Sequence, residues 1–449
     1  MSFGLLSTEV TRQYESINSR RKIYWQFPQG AAQLMGLLSL LPNAEETDKS
    51  LFGWWERRFP TQRTTTVASG TAPFLNGDGS AFTDTGTMTA DVEYIVKVAS
   101  TTEFRPTHVI EIRSLVYTAG ATKDLTGVVT QVVSATQLKF RPNETTAGVE
   151  NGSTDNNSLT VAIKGTANRE NARSGTGIFV APINPTNRTQ IFRTAFNISR
   201  TALKGGLLFD KSGPYKMMAK ENGMRHMIEM EKAFIFGQNH EVGVADPVTG
   251  DITPETQTGG VVNFLKAWEA ADSIYRGGSG AAAITSNTDN DKRIVSVSGT
   301  LTKARYNTWI QQLFRVTQDA GYEKVCLCGA QFLSTLNDLF DKNRIIQTTL
   351  EEPKTKAKFI VYTHESLFGT VHYKTHPLFT EDPDLTDSGL FLDLGNLRYR
   401  PLTDSDTKFL KGRQETDRDG RKDEWITEAG LELKYPESCG WLRDATVAG

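Results

Sequence analysis

The sequence is short of the residues that most directly announce chemistry. It holds three cysteines in 449 residues, Cys326, Cys328 and Cys439. An odd and sparse set excludes a disulfide framework and fits a reducing compartment. Its six histidines form no His-Glu-x-x-His pair, and neither a Gly-x-Ser-x-Gly elbow nor a phosphate loop occurs. Charge of one sign is not in excess: 50 Lys and Arg stand against 52 Asp and Glu, a net charge of −2. That balance excludes a strongly basic chain built to neutralise nucleic acid. The longest apolar run, "LMGLLSLL" at 34–41, is too short to span a bilayer. The opening "MSFGLLSTEVTRQYESINSRR" lacks the basic-then-apolar order of a signal peptide. The expectation is an intracellular, soluble chain with no cofactor, no metal and no membrane contact.

The length suggests two to four domains. At 38% hydrophobic residues the chain is lean for its size, so either its surface is large or part of its apolar burial comes from partner chains. Residues 1–55 read as an arm, with one short amphipathic helix between Pro28 and Pro42. From about 60 to 170 the composition shifts to Thr, Gly, Ser and Asn. Alternating runs such as "DVEYIVKV" and "HVIEIRSLVY" there predict a small all-β module. "SGP" at 212–214 predicts the start of a long helix, with a Ser cap and Pro in its first turn, closed by Gly237. Helices follow at 261–276 and 302–321, separated by the strand "RIVSVS". The strand "EKVCLCG" then runs into a helix whose Phe332, Leu333, Leu336, Leu339 and Phe340 share one face. From 357 onward strands dominate.

Four features invite a ligand, and each has a plainer explanation. His372 and His376 in "HYKTHP" have metal spacing on a helix, but on the strand this pattern indicates their rings stand roughly 13 Å apart. They are read as surface or turn histidines. Cys326 and Cys328 share one side of a strand as small buried groups, with no second pair to complete a zinc site. "ETDRDGRKDEW" resembles a calcium loop, yet its twelfth position is Ile426; Asp419-Gly420 is read as a tight hairpin turn. "GGSGAAA" at 277–283 has neither dinucleotide nor phosphate-loop spacing and reads as a connection.

The long helix is read by angle. Met217, Met224, Ile228 and Ile235 form a stripe flanked by Met227, Met230 and Phe234. Glu221, Arg225, Glu229 and Lys232 lie on the opposite arc, with i, i+4 pairing. Glu231 falls beside the apolar stripe and is read as a solvated helix-end residue, with a subunit contact as the alternative.

Several short motifs occur in a telling order: "NRTQIFRTAFNIS", "EKAFIFGQ", "TGGVVNFL", then "FGTVHYKTHPLF", "GLFLDLGNLRYRPL" and "EWITEAGLELKYPES". The layout resembles the major capsid proteins of tailed bacteriophages, with the Hong Kong 97-like fold, in the branch carrying a β-module inserted in the extended loop. The resemblance covers roughly residues 50–445 and is strongest after 186. It implies an α+β fold in which 1–55 is the N-terminal arm and 56–195 an extended loop with a β-rich module at about 85–170. A peripheral domain at 196–260 would contain the spine helix 213–237. An axial domain would follow at 261–395, and 396–449 would return as strands to the peripheral domain. The function implied is self-assembly into pentamers and hexamers of an icosahedral head enclosing double-stranded DNA, without catalysis. Implied partners are other copies of the chain, scaffolding and portal proteins, decoration proteins and DNA contacted non-specifically. Assembly is expected in the host cytoplasm and residence in the virion. Arg57, Arg58, Glu221, Arg225, Glu229 and Glu231 are the expected subunit-interface residues. The basic cluster Arg20, Arg21 and Lys22 is read as a solvated arm. Two rivals remain: a viral tail or decoration protein using Trp54 and Trp55 as a glycan platform, and an enzyme built on 261–390.

Overall fold

The computed structural model describes residues 32–445, apart from 41–43, 58–61, 68–69, 119, 153, 172–174, 176, 180, 206–212, 246–249, 277–282, 287–290, 298–299, 316–322, 341–344, 352–357 and 418. The basic cluster at 20–22, Arg58, the expected Ser212 cap and nearly all of the 277–283 connection therefore lie outside the described residues. The chain forms two units, one of residues 57–182 and one of 1–56 with 183–449.

In the 57–182 unit every regular element among the described residues is a strand, and nine of them form one antiparallel sheet. Alternation along His108–Tyr117 and Ala121–Ser134 sends Ile110, Ile112, Leu115 and Leu125 inward, each fully buried with Phe74, Met88 and Phe140. Two asparagines close gaps between strand ends. Asn151 accepts from Phe74 N and donates to the Phe74 and Phe82 carbonyls. Asn156 bridges both backbone groups of Val116. A buried amide is tolerated only when so satisfied.

The second unit begins and ends its excursion at a clasp. Glu56 N and Ile183 O are 2.9 Å apart, and Ile183 N and Glu56 O also 2.9 Å. The Glu56 side chain is itself buried, accepting from Trp54 Nε1 at 2.8 Å and Tyr435 N at 3.1 Å.

This unit contains two main sheets. In the first, Gln190–Ser199 pairs along all ten residues with Gly420–Leu433, which also pairs with Leu397–Pro401 and Lys408–Leu410. Phe192, Phe196 and Ile198 turn inward beneath the long helix Pro214–Phe236. The second, mixed sheet has seven strands, with Glu323–Cys328 central between Gly389–Leu392 and Thr370–Thr375. The last strand, Gly440–Arg443, joins this sheet and not the first. Helices Lys303–Phe314 and Ala330–Leu339 bury Tyr306, Trp309, Phe332 and Leu336 with it.

Two local expectations need correction, and a third runs past the described residues. The helix expected at 261–276 ends at Glu269, because Arg276 folds back to donate to the Trp268 carbonyl at 2.8 Å and the Ala270 carbonyl at 2.7 Å, ending it with a cation. The helix expected at 302–321 is helical over Lys303–Phe314, capped by Thr302, and 316–322 lie outside the described residues. Asp419-Gly420 is not a tight turn. Gly420 already pairs with Ser199 inside the returning strand, onto which Gly412 and Arg413 clip at Asp423 and Lys422, at 2.7 and 2.8 Å.

All three thiols are fully buried, and burial pushes Cys326 and Cys439 well above the usual thiol range. We expect an aromatic disulfide reagent to titrate fewer than about one thiol per native chain and all three in denaturant, since only exposed thiolate reacts.

Candidate functional site

The long helix organises the part of the molecule where polar groups are most deeply buried. Pro214 occupies its first turn, as the sequence indicates, but its N-cap is Gly213 at φ 86°, a conformation glycine reaches without penalty. Its buried residues are Asn222, His226, Met230, Glu231, Phe234 and Ile235. The expected Met217–Met224–Ile228 stripe is thus displaced: Met224 and Ile228 are only partly buried, and Met227 is 38% exposed. The reason is a polar seam. The His226 ring nitrogens lie 3.1 Å from Thr194 Oγ1 and 2.8 Å from Thr427 Oγ1, fixing the helix to both strands beneath it. A hydropathy stripe cannot register such a seam.

Glu231 is the main correction. It is fully buried. Its Oε1 accepts from Leu34 N at 2.6 Å, its Oε2 from Met35 N at 2.8 Å, and Oε1 also from His376 Nε2 at 2.8 Å. Leu34 and Met35 open the helix Gln33–Leu40, so a carboxylate from a distant helix caps their free N–H groups. His376, also fully buried, accepts from Leu378 N through Nδ1, which leaves the Nε2 proton to point at Glu231. His372 is buried too. Both histidines are therefore interior, not surface, residues; His376 is the N-cap of Pro377–Glu381. Among the described residues no cluster of His, Cys, Asp and Glu can hold a metal.

At the other end of the helix, Tyr215 donates to Asp423, which also accepts from Gly412 N and the Arg421 guanidinium. Burial opposes Asp423 ionisation, but those three donors outweigh it and hold the carboxyl below its usual range. Glu424 is likewise buried yet shifted down, because Arg193 and Arg413 both reach it at 3.0 Å.

The other expected interface residues stand apart. Glu221 and Arg225 pair at 2.6 Å on the exposed arc, and Glu229 accepts from Thr194 Oγ1 at 3.0 Å. Arg57 is exposed. Trp54 is buried while Trp55 is 70% exposed, so the two cannot form a paired glycan platform. Sequence reading passed over the hairpin His240–Ala245 with Ile252–Gln257, although its β-branched alternation was there to see.

Burial shifts the His226 and His372 rings below their usual value, partly countered by Glu229 and Glu323. The folded chain then binds fewer protons at these rings than the unfolded chain does. Their contribution is complete above about 6.5 and is lost as pH falls below it. Asp423 and Glu424, shifted down, add a second loss below about 4, the ordinary carboxylate range. We expect urea midpoints measured from pH 8 to pH 3 to fall in these two stages, with His226→Gln shrinking the first.

The model of the family described as SU10 major capsid protein matches residues 7–446. No curated protein matches the sequence. Among solved structures the chain is similar to the capsid asymmetric unit of cyanophage A-1(L), with a TM-score of 0.41 at 11% identity over 98% of this chain and 100% of that one. Mycobacterium phage Adephagia gives a TM-score of 0.39 at 10% identity, over 99% and 100% of the two chains. The capsid of a native GTA particle computed with C5 symmetry gives 0.38 at 12% identity, over 62% and 80%.

Proposed function

We propose, because the chain belongs to the SU10 major capsid protein family, that it is the repeating subunit of an icosahedral head assembled from pentamers and hexamers around double-stranded DNA. The observation that carries the reading is the family match over residues 7–446, nearly the whole chain. A major capsid protein of a tailed phage works by fitting copies of itself together, and no catalytic constellation is needed for that.

In this reading the fold is Hong Kong 97-like. The helix Pro214–Phe236 and the sheet beneath it form the peripheral domain. Residues 261–395 form the axial domain, and the 57–182 unit is the module carried by the extended loop. Exposed Arg57, Arg225 and Glu229, with half-buried Glu221, contact neighbouring copies; Glu231 takes no part, being consumed inside its own subunit. Scaffolding, portal and decoration proteins are the expected partners, with assembly in the host cytoplasm. The near-zero net charge suits a container whose DNA is held in bulk and not read by sequence.

Co-expression with the scaffolding protein of the same genome, followed by electron microscopy, tests this. Closed round shells or five- and six-membered rings are expected. A monodisperse monomer under every condition would remove the reading.

A further inference from the structure

We propose that Asn76 is a site of spontaneous chemical modification, at which the 57–182 unit gains a lasting negative charge and its 74–81 turn is unlatched. The chain holds three Asn-Gly pairs, beginning at Asn76, Asn151 and Asn222. In such a pair the glycine nitrogen can attack the asparagine Cγ, since no β-carbon on the glycine crowds the approach. An N–Cγ bond forms, the Cγ–Nδ2 bond breaks, and ammonia departs with the proton of the glycine N–H. Water then opens the succinimide ring at either carbonyl, leaving aspartate or isoaspartate. Water is the one co-reactant.

The structure separates the three pairs by what holds the nucleophile. Gly152 N donates to Asp155 Oδ2 at 3.1 Å, and buried Asn151 spends its amide on Phe74 and Phe82. Gly223 lies inside the helix Pro214–Phe236, where its N–H is spent on the preceding turn. Asn222 beside it is buried and donates to the Met218 carbonyl at 2.9 Å. Gly77 N, by contrast, has no acceptor among the described residues, and Asn76 is only half-buried. Packing also keeps this pair in place: a Cβ on Gly77 would lie 2.6 Å from the Glu93 carbonyl oxygen, so a larger residue does not fit. Conversion would reverse the polarity of the turn. Asn76 Nδ2 donates to Ser80 Oγ at 3.0 Å and to the Ala81 carbonyl at 3.1 Å, while Ser80 Oγ gives its own proton to Asp78 Oδ1 at 2.7 Å. A carboxylate in the same place offers only acceptors. It faces a carbonyl and a hydroxyl already committed, with the Asp78 carboxylate close by in sequence. Isoaspartate also lengthens the backbone at the end of strand Phe74–Asn76, where Asn76 stands in register with Tyr94.

Two measurements on the full chain test this. In the first, the folded chain and the chain in denaturant are held at pH 8 and followed by peptide mass mapping. A gain of about 1 Da is expected at residue 76 of the folded chain. It should be at least about tenfold faster than at residues 151 and 222, whose nitrogens the fold holds out of position. In denaturant, where no fold engages any of the nitrogens, the three rates are expected to converge. Asn76→Gln, whose longer side chain would have to close a larger ring, is expected to show no gain at 76. Equal rates at the three pairs of the folded chain overturn the proposal, as does a folded chain that gains nothing at 76 while the denatured chain converts. In the second, Asn76→Asp supplies one product directly. Hydrogen exchange at the amides of residues 76 and 79, which in the parent donate to the Ser80 and Asn76 carbonyls at 3.0 and 2.9 Å, is expected to rise about tenfold. Exchange at the parent rate overturns the unlatching.

Discussion

Replacing Glu231 with alanine is expected to destabilise the subunit by about 3–5 kcal/mol, the usual cost of removing one member of a buried charged cluster. The variant leaves Leu34 N, Met35 N and His376 Nε2 without their acceptor, at a site where Glu231, His376 and Leu34 are fully buried. Glu231→Gln keeps the volume and one accepting oxygen but turns an amide N–H₂ toward one of the same donors, so about half that loss is expected. Urea unfolding measures both. The helix Gln33–Leu40 also loses its cap, so limited proteolysis is expected to cut the alanine variant near residues 33–40 well before the parent. A double-mutant cycle with His376→Asn, which can still cap Leu378 N, is expected to give about 1–3 kcal/mol of coupling. A loss below about 1 kcal/mol for Glu231→Ala would show that solvent reaches the site.

Gly329→Ala is the second. Gly329 links the strand Glu323–Cys328 to the helix Ala330–Leu339 and caps that helix. Its φ of −75° suits any residue, so the requirement is space and not conformation. A methyl group there would lie 2.1 Å from the Thr386 carbonyl oxygen and 2.6 Å from its Cα. Those atoms are backbone, and the same segment receives Phe332 N at the Thr386 carbonyl and Gly329 N at the Ser388 carbonyl, both at 3.1 Å. The 386–389 chain cannot retreat without breaking these bonds and unseating Phe332 from Gly389, whose own Cβ position is 2.7 Å from that ring. We expect a loss of at least about 3 kcal/mol by denaturant titration, or failure to accumulate as soluble protein. Ala330→Gly, one residue on and exposed, is expected to cost only about 1 kcal/mol.

The parts of this fold legible in the sequence are those held by periodicity. The helix Ala330–Leu339 buries Phe332 and Leu336, with Leu333 and Leu339 packed at the margin, because one apolar stripe against one sheet leaves a single solution. Pro28 and Pro42 bracket the helix Gln33–Leu40 just as clearly. Periodicity fails where polar side chains carry the packing. Glu231 did fall beside the apolar stripe, and that misplacement was the signal. Its meaning depended on helix termini 145 and some 196–197 positions away in the chain, which no local pattern contains. His376 announced itself more locally, since His-Pro places a side-chain acceptor just before a proline at a helix start. His226 gave no signal, because both its partners are threonines on strands that meet only in the folded chain.

The clasp at Glu56 and Ile183 has a practical consequence. The two strands leave the larger unit as a directly bonded antiparallel pair, a geometry in which Cα atoms stand about 5.5 Å apart. Closure of the intervening 126-residue excursion, from 57 to 182, is thus secured at its root and owes nothing to what lies beyond it. Because loop-closure entropy grows only slowly with length, the excursion behaves as an interchangeable cassette. A foreign domain whose own termini lie close together would meet the same two anchor points. Grafting at this root, with the Trp54–Glu56–Tyr435 bonds left intact, offers a route to carrying enzymes or antigens as payload on the same scaffold.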